Sequence, residues 1–321
     1  MMLRILFFYV LLFLSFSANS QENVYKENLD ACEQGDSSAC FNLGNSYYNG
    51  SGVIQDYTKA NDLYTMACGL NDASSCYHLG FLYSNGQGVK QDNAKAKELY
   101  TKACGMDDAR ACTNLGVLYD DGKSVKQDYA IANELFAKAC GMNNSPACFN
   151  LGNSYYNGSG VIQDYTKAND LYTMACGMDS ASACISLGLL YEEGKGVKQD
   201  YVKANDFYTK ACGMDNASAC FNLGNFYQSG KGVKQDYAKA NDFYIKACEM
   251  DYAAACFNLG IIYEYGEGVK QDKKRAKELF GKSCDLSLQD GCSAYREFNQ
   301  ERRKITFSDR SVQTTDELYI Q

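Results

Sequence analysis

The residues best equipped for chemistry in this 321-residue chain are its sixteen cysteines. They stand at Cys32, Cys40, Cys68, Cys76, Cys104, Cys112, Cys140, Cys148, Cys176, Cys184, Cys212, Cys220, Cys248, Cys256, Cys284 and Cys292, and the gaps alternate 8 and 28 without exception. Thiols in such number can form disulfides, bind metal or act as nucleophiles. An even count at fixed spacing in an exported chain reads as a disulfide framework. A zinc site needs four ligands at close spacing, often with histidine. The chain has a single histidine, His78, and no Cys-x-x-Cys. No metal and no cofactor is therefore expected. A nucleophilic cysteine needs a free thiol, and the spacing gives every cysteine a partner.

Other catalytic constellations fare no better. Serine acylation of the Ser-x-x-Lys kind needs a lysine one helical turn after the nucleophile. No serine here has lysine three residues on, and Ser-Asp-Asn and Lys-Thr-Gly are absent. A zinc hydrolase needs several histidines. The adjacent acids Asp120-Asp121 and Glu192-Glu193 offer paired carboxylates, but they fall at expected helix ends, where neighbours diverge. They read as solvated surface. His78 occupies a position held elsewhere by Asn or Ser, and reads as a partly exposed polar side chain. The catalytic assignment is left unknown.

The elements that must carry these residues follow from composition and period. A net charge of −8 argues against nucleic acid, whose phosphates are met by Lys and Arg, and against anionic lipid. Proline occurs once, at Pro146, which suits helix. A positive start, the apolar run Ile5 to Phe16 and small residues at Ala18 and Ser20 read as a signal peptide over residues 1–20. The mature chain is then expected outside the cytoplasm, secreted or periplasmic, with no membrane insertion and as a monomer.

From Cys40 a 36-residue unit recurs at Cys76, Cys112, Cys148, Cys184, Cys220 and Cys256, giving seven units to about Leu288. A period in the thirties means a stacked array. Residues Ala39–Gly69 and Ala147–Gly177 are identical, three repeats apart, as a duplicated block would be. Each unit holds two helical patterns. In the first, Leu43, Gly44 and Tyr47 share a face. Its glycine, which costs a helix about 1 kcal/mol, implies close approach of a neighbouring helix backbone. Gly50 and Gly52 stop that helix. Asp56 is placed to cap the second, where Ala60, Leu63, Tyr64 and Ala67 form the apolar stripe. Only seven residues join one second helix to the next first helix. That brings each pair of cysteines 8 apart within the roughly 7 Å Cα reach of a disulfide. The expectation is an all-α, α/α solenoid superhelix over residues 21–303, with a leading helix, a C-terminal cap and a loose polar tail at 304–321.

The pattern Leu-Gly…Tyr…Gly-x-Gly-Val…Asp-Tyr-x-Lys-Ala…Tyr…Ala-Cys resembles the Sel-1-like repeat, which is related to the tetratricopeptide repeat. With Cys-x7-Cys in every unit and a leader, the chain is similar to the secreted cysteine-rich proteins of Helicobacter. That resemblance implies a bridged superhelix outside the cell. It also implies candidate β-lactamase or penicillin-binding activity, or interaction with a host, because members are described in those terms. From the residues themselves, binding is better supported. The first helix carries Asn42, Asn45 and Asn49 opposite its core face. Stacking turns the first of these into a ladder: Asn42, His78, Asn114, Asn150, Ser186, Asn222 and Asn258. Amides donate and accept together. This suits an extended peptide, a peptidoglycan fragment or other cell-wall glycan, or a host protein in a concave groove, with Phe81 adding aromatic contact. The alternatives are hydrogen bonding between repeats, simple solvation, and a β-lactam as the ligand.

Overall fold

The computed structural model describes residues 25–122 and 125–300. The expected leader and the polar tail lie outside the described residues. Every element among those described is a helix, and the chain divides into two compact units at Gln163/Asp164. The first unit holds α1 (residues 25–33), α2 (Ser37–Asn49), α3 (Tyr57–Gly69), α4 (Ala73–Asn85), α5 (Asn93–Gly105), α6 (Ala109–Asp121), α7 (Tyr129–Gly141) and α8 (Ser145–Asn157). The second holds α9 (Tyr165–Gly177), α10 (Ala181–Glu193), α11 (Tyr201–Gly213), α12 (Ala217–Ser229), α13 (Tyr237–Glu249), α14 (Ala253–Tyr265), α15 (Lys273–Asp285) and α16 (residues 289–300). Within each unit every helix packs on its sequence neighbours, as in an α/α solenoid.

Local chemistry sets the helix ends. Asp56 caps α3: its Oδ1 accepts from the backbone N–H groups of Thr58 and Lys59 at 3.0 and 3.1 Å. Asp128, Asp164, Asp200 and Asp236 cap their second helices through the same two N–H groups, and Asp92 and Asp272 through the second of them alone. Such a cap is worth about 1 kcal/mol. Gly50 ends α2 at φ 71°, a left-handed conformation that glycine adopts without a Cβ penalty. Of the first helices, α14 has Tyr252 at its N-cap and no side-chain cap bond.

The repeat core is built from Leu43 and Gly44 on α2 and Ala60, Tyr64 and Ala67 on α3, all buried. Two details differ from the sequence pattern. Leu63 is only half-buried, while Asn61 beside it is buried. The reason is that α3 packs against both α2 and α4, which turns its buried stripe from the one a single neighbour would select. The helix glycine also answers to a different neighbour than expected. A Cβ on Gly44 would lie 2.6 Å from Cε1 of Tyr64. The close approach is thus by the aromatic ring of the second helix, not by its backbone. Gly80 meets Tyr100 in the same way, at 2.8 Å.

All sixteen cysteines are bridged in eight disulfides, each joining residues 8 apart with Cα atoms 4.4 to 4.9 Å from one another. Each bridge ties the end of one helix to the start of the next. A second tie was not legible from the cysteines. Lys102 donates from Nζ to the carbonyl of Cys68 at 2.6 Å, and Lys138 to that of Cys104 at 2.7 Å. In the second unit Lys210, Lys246 and Lys282 reach Cys176, Cys212 and Cys248 at 2.6, 2.9 and 2.7 Å. Each ammonium adds a charged donor at the negative end of the preceding repeat's second helix, to a carbonyl that also accepts the backbone N–H three residues on.

A candidate binding face on the first helices

The first-helix residues opposite Leu43 and Gly44 form the candidate face. Asn42 and Asn49 are exposed, as expected. Asn45 is half-buried, and its Oδ1 accepts from the Tyr64 hydroxyl at 2.7 Å. The other ladder positions in the first unit, His78, Asn114 and Asn150, are half-buried too, and so are Ser186, Asn222 and Asn258 in the second. They are therefore not free-standing solvated amides.

Several of these side chains meet the tyrosine of a second helix. Its ring passes beneath the first helix and delivers its hydroxyl to this face. Tyr100 hydrogen-bonds Ser84 of its own repeat and Asn114 of the next. Tyr244 donates to Asn225 at 2.7 Å or Gln228 at 2.6 Å, and interacts with Asn258 of the next repeat. Tyr208 donates to Glu192 Oε2 at 2.9 Å. Burial pushes the Tyr100 and Tyr244 hydroxyls up to about 12. It raises those of Tyr64 and Tyr208 further, with the Glu192 charge adding to the rise at Tyr208. These groups remain protonated donors at physiological pH. Some rungs of the ladder therefore join repeats. Sequence reading placed Tyr64 in the core. It missed the polar tip that an aromatic ring of this length carries out to the surface.

His78 is the aromatic exception on the ladder. Its ring centroid lies 5.1 to 5.4 Å from those of Phe41, Tyr64 and Tyr77. Its Nδ1 lies 2.8 Å from the carbonyl oxygen of Ser74. A carbonyl only accepts, so Nδ1 carries the proton. Burial holds the imidazole pKa below its ordinary value, which keeps the ring neutral at pH 7. Arg110, from the next repeat, lies over Tyr77 at 4.3 Å and pairs with Asp108 at 2.6 Å.

The two acidic pairs separate. Glu192 is held by Tyr208 and by Lys231 at 3.5 Å, while Glu193 pairs with Lys195 at 2.8 Å. Asp120 and Asp121 sit on the face of the first unit, beside a cleft of about 420 Å³ that also includes Asn150. No group of three or more His, Cys, Asp or Glu residues among those described could hold a metal ion.

Seven consecutive segments, residues 37–72, 73–108, 109–144, 145–180, 181–216, 217–252 and 253–288, match the model of the Sel1 repeat. Among solved structures, the chain is similar to a protective antigen of uropathogenic Escherichia coli that displays an SLR fold. The two are 30% identical over 84% of this chain and 58% of that one, with a TM-score of 0.79. It is also similar to a Sel1 repeat protein from Oxalobacter formigenes, with 30% identity over 76% of this chain and 99% of that one and a TM-score of 0.70. Cysteine rich protein B of Helicobacter pylori is 34% identical over 42% of this chain and 97% of its own length, with a TM-score of 0.35. The chain thus spans 58% of the length of the Escherichia coli antigen. Among curated proteins, none matches it in sequence.

Proposed function

The chain belongs to the Sel1 repeat family, and we propose that it is a non-catalytic scaffold holding an extended peptide segment of a protein partner on its first-helix face. The observation that carries this reading is the recurrence of half-exposed side-chain amides beside aromatic rings on that face, at the repeat spacing within each unit. An amide donates and accepts, matching the two polar groups of a peptide unit. Each such bond contributes about 0.5–1.5 kcal/mol net. Useful affinity then needs several rungs, with rings such as Phe81 and Tyr48 adding apolar contact.

Export to the periplasm or beyond belongs to the same reading. Disulfides persist in oxidising compartments, and here they bridge every cysteine. No described helix is long and apolar enough to cross a membrane. No constellation of described residues favours the β-lactam-directed alternative.

The test is selection of binding peptides from a displayed library on the oxidised protein, followed by the variant Asn42→Ala/Asn150→Ala/Asn222→Ala. Asn114 is left in place because it also partners Tyr100. The selected peptides should bind the variant at least tenfold more weakly, since each 1.4 kcal/mol is a factor of ten, while its helical signal stays intact. Equal binding by the variant, or a library that yields no binder, refutes the reading.

A further inference from the structure

Two repeats carry phenylalanine where the others carry the second-helix tyrosine, and in one of them a carboxylate is left without a partner. Positions 36 residues apart are equivalent, so Tyr64, Tyr100, Phe136, Tyr172, Tyr208, Tyr244 and Phe280 hold one place on the second helices. Tyr100, Tyr208 and Tyr244 each hydrogen-bond the last residue but one of the first helix of their own repeat, whereas Tyr64 donates to Asn45. Tyr208 serves Glu192, and Tyr244 serves Gln228. The equivalent of Glu192 and Gln228 in the third repeat is Asp120, and the ring beneath it is Phe136. Phe136 is buried at 2% exposure and has no hydroxyl to give. Asp120 is half-buried, and its carboxylate receives no hydrogen bond or ion pair among the described residues. Its backbone carbonyl alone is used, by Gln127 at 2.6 Å. Asp120 and Phe136 both line a cleft of about 420 Å³ in the first unit. Val117 and Asp120 come from α6, Tyr129 and Phe136 from α7, and Asn150 and Asn153 from α8.

A half-buried carboxylate with no protein donor is a stronger acceptor for a cationic partner than for a neutral one. The rest of the lining selects the form of that cation. Val117 and Phe136 offer an apolar wall for an alkyl stem, and Tyr129 a ring face at the mouth, 38% exposed. Asn150 and Asn153 stand opposite, in position for the main chain from which the stem projects. The volume suits one long side chain and falls in the ordinary range for small-ligand clefts, about 300–1,000 Å³.

We propose that the cleft between α6, α7 and α8 is a specificity pocket for a basic side chain, lysine or arginine, of a peptide partner. Its charge sits at Asp120 and its stem lies against Phe136 and Val117. The inference rests on the reading of the first-helix face as a peptide-binding surface and names the chemistry one part of it selects. Burial, with repulsion from Asp121, raises the Asp120 pKa, as expected of a carboxylate that has no cation of its own.

The probes are the capped tripeptides acetyl-Gly-Lys-Gly-amide and acetyl-Gly-Arg-Gly-amide, with the norleucine tripeptide as the neutral isostere. Binding to the oxidised full chain is followed by backbone-amide NMR at low salt. At least one basic tripeptide should shift amides at residues 117–121 and 150–154 saturably, and norleucine should bind at least tenfold more weakly. The lysine and arginine arms decide which cation the cleft prefers. Asp120→Asn should weaken binding tenfold or more. So should Phe136→Tyr, which restores the hydroxyl found at equivalent positions and offers Asp120 an internal donor. Because neighbouring repeats fold with tyrosine there, Phe136→Tyr should melt no lower than the parent, which separates a blocked cleft from a damaged fold. Equal binding of norleucine, unchanged binding by both variants, or no saturable shift at these residues overturns the proposal. If the basic tripeptides fail while library peptides still depend on Asn42, Asn150 and Asn222, the pocket falls and the binding face stands.

Discussion

Removing one bridge from the middle of the second unit is a direct test of what holds the array together. In Cys212→Ala/Cys220→Ala the lost disulfide closed a short ring between α11 and α12, with residues 8 apart and Cα atoms separated by 4.8 Å. Loop-closure entropy for a ring of that size amounts to about 2–3 kcal/mol. Both sulfurs are buried, with the cysteines 3% and 0% exposed, so their loss leaves a small void that adds up to about 1 kcal/mol. The other ties across this junction survive. Lys246 still donates to the carbonyl of residue 212, and Asn216 still caps α12 through the Ala219 N–H at 3.1 Å. The expected loss is about 3 kcal/mol. With a urea slope of about 2 kcal/mol/M, the midpoint falls by about 1.5 M. Amide exchange should rise chiefly at the end of α11 and the start of α12, because each repeat of a linear array leans only on its neighbours. A midpoint shift below about 0.3 M, or exchange raised evenly along the chain, would refute the view that the bridges act locally and entropically.

Two further outcomes follow from the same contacts. Lys246→Met removes the ammonium that caps Cys212 and pairs with Asp215 at 3.1 Å, and methionine is what the chain itself carries at the equivalent Met66 and Met174. The pair is largely exposed, so the loss should be about 0.3–1 kcal/mol at low salt and smaller at 1 M salt, measured by urea midpoints in both. His78 has a folded-state pKa below that of the unfolded chain. Below the ordinary value of about 6.5 the unfolded chain binds the proton more readily. Stability should therefore be full above about pH 6.5 and fall as the pH drops through that range. His78→Asn should flatten that part of the urea-midpoint profile, and an unchanged slope would contradict the neutral, ring-enclosed histidine.

Much of the architecture was readable because it depends on neighbours in sequence. Seven residues between Cys68 and Cys76 leave little choice of pairing, and Asp56 caps through N–H groups two and three residues away. What depends on reach across space was not readable in the same way. Lys102 looks like a solvated helix residue until the carbonyl of Cys68, 34 residues earlier, comes within 2.6 Å. A lysine at 102, 138, 210, 246 and 282, one place in five of the repeats, was the available signal, but a backbone acceptor has no sequence signature. Tyr64 was rightly placed in the core by its spacing. Spacing gives the direction of a side chain and not its length, so the delivery of its hydroxyl to Asn45 on the opposite face was hidden.

That hydroxyl changes how the ladder should be read. A side chain that recurs in every repeat is as well explained by the need to stack repeats as by a ligand, and Asn114 and Asn258 do meet the tyrosine of the preceding repeat. Regularity alone therefore cannot separate scaffold from site. Departures from regularity can, because an array that tolerates Tyr at a position gains nothing in stacking from losing its hydroxyl. Phe136 gives up a donor that Tyr208 and Tyr244 use, and leaves Asp120 facing a cleft instead of a hydroxyl. Phe280 makes the same change but packs on Phe257 and Phe298, with ring centroids 5.6 Å away in each case. The equivalent acid there, Glu264, has a partner of its own. Of these two phenylalanines, Phe136 is the one that leaves a carboxylate unpaired, and selectivity for a partner is best sought there.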